Sequence, residues 1–152
     1  MKLLERLDGD MVKAAKAREA ERLGVIRFVR AQTKNRRIEL QRDLKDEDVV
    51  EVLARIAKQH REAIEQFSHG GREDLVERER RQLAIVEEYL PEQLGEQELL
   101  DILSEVVAET GAEGPGDMGK VMKAIMPRVK GRADGKQVKG LVVARLSGGD
   151  EG

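Results

Sequence analysis

The chain has 152 residues, 39% apolar and 38% charged, with a formal net charge of −2 and no cysteine. That balance is too apolar for a disordered tail and too charged for one broad globular core, so long, narrow amphipathic helices are expected. The lack of cysteine excludes a disulfide framework, a thiol nucleophile and a cysteine zinc site, and no apolar run approaches transmembrane length.

At the N-terminus, Met1-Lys2-Leu3-Leu4-Glu5-Arg6 reaches a charge too early for a secretory segment, so a cytoplasmic protein with no membrane partner is expected. The apolar period is near 3.6 almost throughout and strict alternation is missing, which predicts an all-α fold. Leu4, Leu7, Met11, Ala14 and Ala15 line one face of a first helix. From about Glu19 to Leu40, Val25, Ile26, Val29, Thr33 and Leu40 fall on one side of a second pattern. Whether these two patterns are separate helices or one bent helix stays open.

Asp46-Glu47-Asp48 favours a third helix start through the macrodipole. Val49, Leu53, Ile56, His60, Ile64 and Phe67 then form its stripe, and Gly70-Gly71 ends it. A fourth helix carries Leu75, Val76, Leu83, Val86 and Leu90, and Pro91 stops it. Three shorter patterns follow: Glu96 to Thr110, Asp117 to about Lys130, and Asp134 to Leu146. Asp117 reads as an N-cap and Asp134 with Gln137 as a capping box. Pro127 should kink or shorten the sixth helix, and Gly140 weakens the seventh by about 1 kcal/mol relative to alanine. The expected layout is a long-helix N-terminal domain (1–94), a small three-helix tail domain (95–147) and a disordered end (148–152).

Charge is distributed unevenly. Pro91 to Asp117 holds eight acids and no base, whereas Met118 to Leu146 holds Lys120, Lys123, Arg128, Lys130, Arg132, Lys136, Lys139 and Arg145 against one acid, Asp134. A basic block of this kind points to a polyanionic partner. It is broken by Lys130-Gly131-Arg132-Ala133-Asp134-Gly135-Lys136, a glycine-bracketed turn expected to present cations and backbone N–H groups together. The competing explanation is pairing with the neighbouring acidic block. A second candidate stripe, Arg27, Arg30, Lys34 and Arg37, lies within about 80° on the second helix at 3.6 residues per turn, where a solvated rim is the plainer reading.

No phosphate loop, HExxH or GxSxG motif is present, and neither a catalytic residue, a metal nor a cofactor is expected. His60, on an apolar stripe, reads as a packed, hydrogen-bonded imidazole, and His69 as a complement to a helix C-terminus. The aromatics Phe28, Phe67 and Tyr89 all fall in or near apolar faces, leaving no platform for stacking single-stranded bases. An RNA partner would therefore be read by shape and phosphate.

Three motifs carry a family resemblance: Tyr89-Leu90-Pro91-Glu92-Gln93-Leu94, Asp117-Met118-Gly119-Lys120-Val121-Met122, and Lys130 to Lys136. Together they resemble the YqeY family over essentially the whole chain. The last two also resemble, over about Gln97 to Leu146, the tail domain of GatB, the B subunit of the glutamine-dependent aminoacyl-tRNA amidotransferase. That resemblance implies a helical tail contacting tRNA near its elbow. The catalytic parts of the amidotransferase resemble no segment here, so a label of carbon–nitrogen ligase with glutamine as amido-N-donor would rest on fold analogy alone. Gly95, where the family usually places a serine or threonine cap, and Lys139-Gly140, where asparagine often leads, depart from the pattern. The expected function is a non-catalytic tRNA-binding accessory role in tRNA-dependent amidation or aminoacylation. The alternative is a helical module that docks an amidotransferase or synthetase subunit.

Overall fold

A computed structural model describes residues 2–148. Among them the chain is all-α: α1 (Lys2–Lys16), α2 (Ala20–Leu40), α3 (Asp46–His69), α4 (Glu73–Glu87), α5 (Glu96–Thr110), α6 (Met118–Val129) and α7 (Gly135–Leu146), with a 3-10 turn at Pro115–Asp117. The first two patterns are separate helices. Arg18 takes φ 57°, a left-handed conformation that a continuous α-helix cannot hold.

The contacts divide the chain into two compact units, the first ending at Pro91 and the second beginning at Glu92. The junction falls three residues before the boundary drawn after Leu94. Leu94 packs against the second core, and its N–H donates to the Arg132 carbonyl at 2.8 Å. α4 ends at Glu87, short of Pro91, and two tighter bonds follow, Tyr89 N–H to Val86 O (3.1 Å) and Leu90 N–H to Glu87 O (3.2 Å).

In the first unit, Leu7, Ile26, Val29, Val49, Leu53, Val86 and Tyr89 form the centre of the core. The α3 stripe is buried at Val49, Leu53 and Ile56 and half-buried at His60, Ile64 and Phe67. Two expectations fail. Ala15 is exposed, and so is Phe28, at 47%. α2 buries Val25, Ile26, Val29 and Thr33, and that rotation turns Phe28 toward solvent.

The entry to α3 is fixed electrostatically. Asp48 accepts from the Lys45 backbone N–H at 2.8 Å and from both terminal nitrogens of Arg42 at 2.8 and 3.0 Å. The Arg42 guanidinium first, and the Lys45 N–H next, lower its pKa from 3.8 to about 2. Between those values the unfolded chain takes up the proton more readily than the folded one. The contribution of Asp48 is therefore full above about pH 4 and is lost as pH falls toward 2. Asp48→Asn should flatten the acid limb of a stability–pH curve followed by circular dichroism. An unchanged limb would show that other carboxylates govern it.

The second unit buries Leu99, Leu103 and Val106 of α5 against Val121, Ile125 and Val129 of α6 and Val138, Val142 and Leu146 of α7. Leu100, next to the buried Leu99, is 37% exposed. α6 runs two residues past Pro127, so the ring neither ends the helix there nor donates to the Lys123 carbonyl. Asp117 makes no side-chain bond to the start of α6; it accepts from the Glu113 N–H at 2.9 Å and ties the preceding loop. Asp134 caps α7 through the Lys136 N–H at 3.2 Å. Gly140 lies inside α7 with nothing within 4 Å of where a Cβ would stand. Gly140→Ala is expected to stabilise the helix by about 1 kcal/mol, seen as slower amide hydrogen exchange along α7 in the full chain. The disordered end expected over 148–152 lies, from residue 149, outside the described residues.

Candidate nucleic-acid interface

The basic block is spread over α6, α7 and the turn between them, and its members are engaged to different degrees. Lys120 reaches the Thr110 carbonyl at 3.2 Å and stands 4.0 Å from Asp117. Arg128 pairs with Glu105 at 3.1 Å, and Arg145 donates to Ser104 Oγ at 3.3 Å. Lys123, Lys130, Lys136 and Lys139 are exposed. Lys123 and Lys139 form no ion pair among the described residues, although the segment 91–117 just before the block holds eight acids. At 100° per residue, Lys136, Lys139, Gly140 and Val143 share one face of α7, and all four are exposed.

The turn itself is built differently from the expectation. Gly131 has φ 74° and is buried, so its missing side chain serves the left-handed bend rather than the approach of a ligand. Its carbonyl accepts from Gln93 Nε2 at 2.8 Å. The Arg132 N–H donates to the Val129 carbonyl at 2.8 Å, and Arg132 Nε donates to the Glu92 carbonyl at 3.2 Å. Of the backbone N–H groups expected to face an anion, those of Arg132 and Lys136 are spent on the fold, and Arg132 is half-buried. Gly135 begins α7, and a Cβ there would sit 3.9 Å from Met126 Cε, an ordinary contact. Sequence reasoning missed the latch formed by Glu92, Gln93 and Leu94 on this turn. Its signal was present as two separate motifs whose spatial meeting no periodicity reveals.

On α2, Arg30 holds Asp8 at 2.6 Å and Arg37 holds Asp43 at 2.9 Å. Arg30 also bonds Thr33 Oγ1 at 2.8 Å, and that hydroxyl donates to the Arg30 carbonyl at 2.7 Å. Arg27 and Lys34 are exposed and pair with nothing among the described residues. His60 Nδ1 lies 3.0 Å from Glu79 Oε1, with side-chain exposures of 15% and 12%, and Arg78 contacts the other Glu79 oxygen at 3.4 Å. No three His or carboxylate groups converge on a metal-sized site among the described residues. No described helix is long and apolar enough to cross a membrane.

Tyr89, first residue of the first motif, is 3% exposed. Its hydroxyl donates to Asp10 Oδ2 at 2.6 Å, and the Arg6 guanidinium lies 4.6 Å from its ring centroid. Burial, and then the Asp10 carboxylate, push the phenol well above its ordinary pKa. It is a structural anchor that stays protonated.

Residues 4–146 match the family described as "Yqey-like protein". The chain belongs to the YqeY family. It is also 32% identical over 133 residues, 86% of this chain and 73% of the relative, to "Altered inheritance of mitochondria protein 41, mitochondrial" of Pyrenophora tritici-repentis (strain Pt-1C-BFP). In this YqeY-family chain, Tyr89, Gln93, Leu94, Asp117, Gly131 and Asp134 are all occupied by folding contacts. The motif residues thus secure the fold, and binding chemistry is left to the exposed side chains around them.

Proposed function

We propose that this YqeY protein is a non-catalytic tRNA-binding accessory factor for tRNA-dependent amidation or aminoacylation, with the α6–α7 surface of its tail as the contact. The observation that supports this reading most is the exposure of Lys123, Lys130, Lys136 and Lys139 beside an acidic segment that leaves Lys123 and Lys139 without an ion pair among the described residues. Cations exposed on helices can settle on a phosphate backbone and release its counterions. The resemblance of Gln97 to Leu146 to the GatB tail selects structured tRNA, and its elbow, among polyanions. Recognition is of shape and phosphate, because Tyr89 is buried and Phe67 half-buried; Phe28 is the aromatic left exposed, far outside the tail in sequence.

We further propose that residues from Glu92 onward fold as an autonomous tail and that the protein works in a compartment containing tRNA, the cytoplasm being the first candidate. The word "mitochondrial" in the relative's name makes the mitochondrial matrix the other compartment to check by fractionation. The deciding experiment is a titration of the full chain against total tRNA at two salt concentrations. The expected result is affinity that falls steeply with salt. Affinity that is absent at low salt, or insensitive to salt, would count against phosphate contacts.

A further inference from the structure

The outward face of α2 carries a pattern that the tail's chemistry does not use. Opposite the buried stripe of Val25, Ile26, Val29 and Thr33, an arc of about 120° at 3.6 residues per turn holds Phe28 and Ile38, the small residues Gly24 and Ala31, and the cations Arg27 and Lys34. All six are exposed, Phe28 at 47% and Ile38 at 68%. The arc contains no acid, in a chain with 30 of them. Acids at its edges are already neutralised: Glu21 by Arg81 at 3.0 Å, Glu39 by Arg36 at 3.4 Å and Asp43 by Arg37 at 2.9 Å. Arg27 and Lys34 have no such partner among the described residues.

Shape adds to charge. Phe28 and Ile38 project about 15 Å apart along the axis at 1.5 Å per residue, with Ala31 between them and Gly24 one turn before. Each also lines a cleft, one of about 520 Å³ shared with Gly24, His60, Gln82 and the Arg81-paired Glu21, the other of about 330 Å³ shared with Lys34, Arg42 and the Arg37–Asp43 pair. A small residue between two projecting apolar ones, with a second one turn before them, leaves a shallow channel in which a second helix can seat its ridge.

We infer that the outward face of α2 docks a protein segment that folds as an amphipathic helix, with acidic residues flanking an apolar ridge. The ridge covers Phe28 and Ile38, and the acids meet Arg27 and Lys34. RNA fits this face poorly. The N–H groups of a mid-helix surface are spent within the helix, two cations make a small phosphate footprint, and isoleucine offers no stacking surface. The inference concerns the first unit and stands whether or not the tail binds tRNA.

The test places a photo-crosslinking benzoylphenylalanine at Ala31 of the full chain in its host cells, with the same group at exposed Lys58 as control. Crosslinked peptides are sequenced, and the captured segment is synthesised and titrated against the purified chain. The expected segment has apolar residues at three- and four-residue spacing with flanking acids. Arg27→Glu with Lys34→Glu, and separately Phe28→Ser with Ile38→Ser, should each weaken it at least about tenfold, since a lost charge pair or apolar contact of roughly 1.4 kcal/mol gives that factor. Because these four side chains are exposed, both double variants should keep the parent melting curve, and either should change tRNA affinity far less than loss of the tail lysines does. No adduct above the Lys58 control, or an adduct to RNA, lipid or a second copy of this chain, would overturn the inference. So would a captured segment lacking acids, or one whose binding ignores both double variants.

Discussion

Changing Lys123, Lys130, Lys136 and Lys139 together to glutamine is expected to flatten the salt dependence of tRNA binding by about three to four units of log–log slope, taking roughly 0.9 per phosphate contact from duplex DNA as the upper guide. Affinity should fall for every tRNA alike, because phosphate contacts position a nucleic acid without reading its sequence. Glutamine keeps most of each side chain's length and packing, and all four residues are exposed, so the melting curve should not move. Arg132 is left out because its guanidinium supports the Glu92 carbonyl at 3.2 Å, and its loss would mix folding with binding. The matching quadruple variant on α2, at Arg27, Arg30, Lys34 and Arg37, should alter tRNA binding far less. Two of its members already hold Asp8 and Asp43, and a guanidinium committed to a carboxylate releases fewer counterions when RNA arrives. Equal, negligible effects from both quadruple variants would remove the tRNA reading.

The largest stability effect is expected at Tyr89. Tyr89→Ala removes an aromatic ring from a closed core, as well as the stacked Arg6 and the donor to Asp10. Cavity formation at such a site costs about 3–5 kcal/mol. Tyr89→Phe keeps the ring and the Arg6 contact but leaves Asp10 without its donor, at about 1–2 kcal/mol. Denaturant melts of the full chain measure both. If the alanine variant cost no more than the phenylalanine variant, the ring would not be filling the core as its 3% exposure indicates. The ordering also assigns the motif: a tyrosine whose removal unfolds the first unit is there for the fold, whereas one that contacted RNA would lower affinity with stability unchanged.

The sequence by itself determined the helices. A 3.6-residue apolar period, Gly70-Gly71 after α3 and Asp134 before α7 are local signals, and local signals set helix existence and ends to within a few residues, as at Glu96–Thr110. It also determined family membership through three short motifs. It did not determine which way each helix turns. Leu100 lies at the edge of its apolar stripe and Phe28 about 60° beyond Val25 at 3.6 residues per turn; rotation about the axis decides whether such a side chain meets core or solvent, and that rotation is set by neighbouring helices. Nor did it reveal which cations are committed. Arg30 with Asp8, Arg22 with Glu88 and Arg81 with Glu21 are pairs 22 to 66 residues apart, and ion pairing depends on distance in space. The glycine turn shows the same limit. Gly131 was legible as a bend, but only the tertiary structure placed Gln93 and Leu94 against it and used its polar backbone inside the fold. Buried backbone groups must find partners, and here the partner came from a segment 38 residues away in the chain.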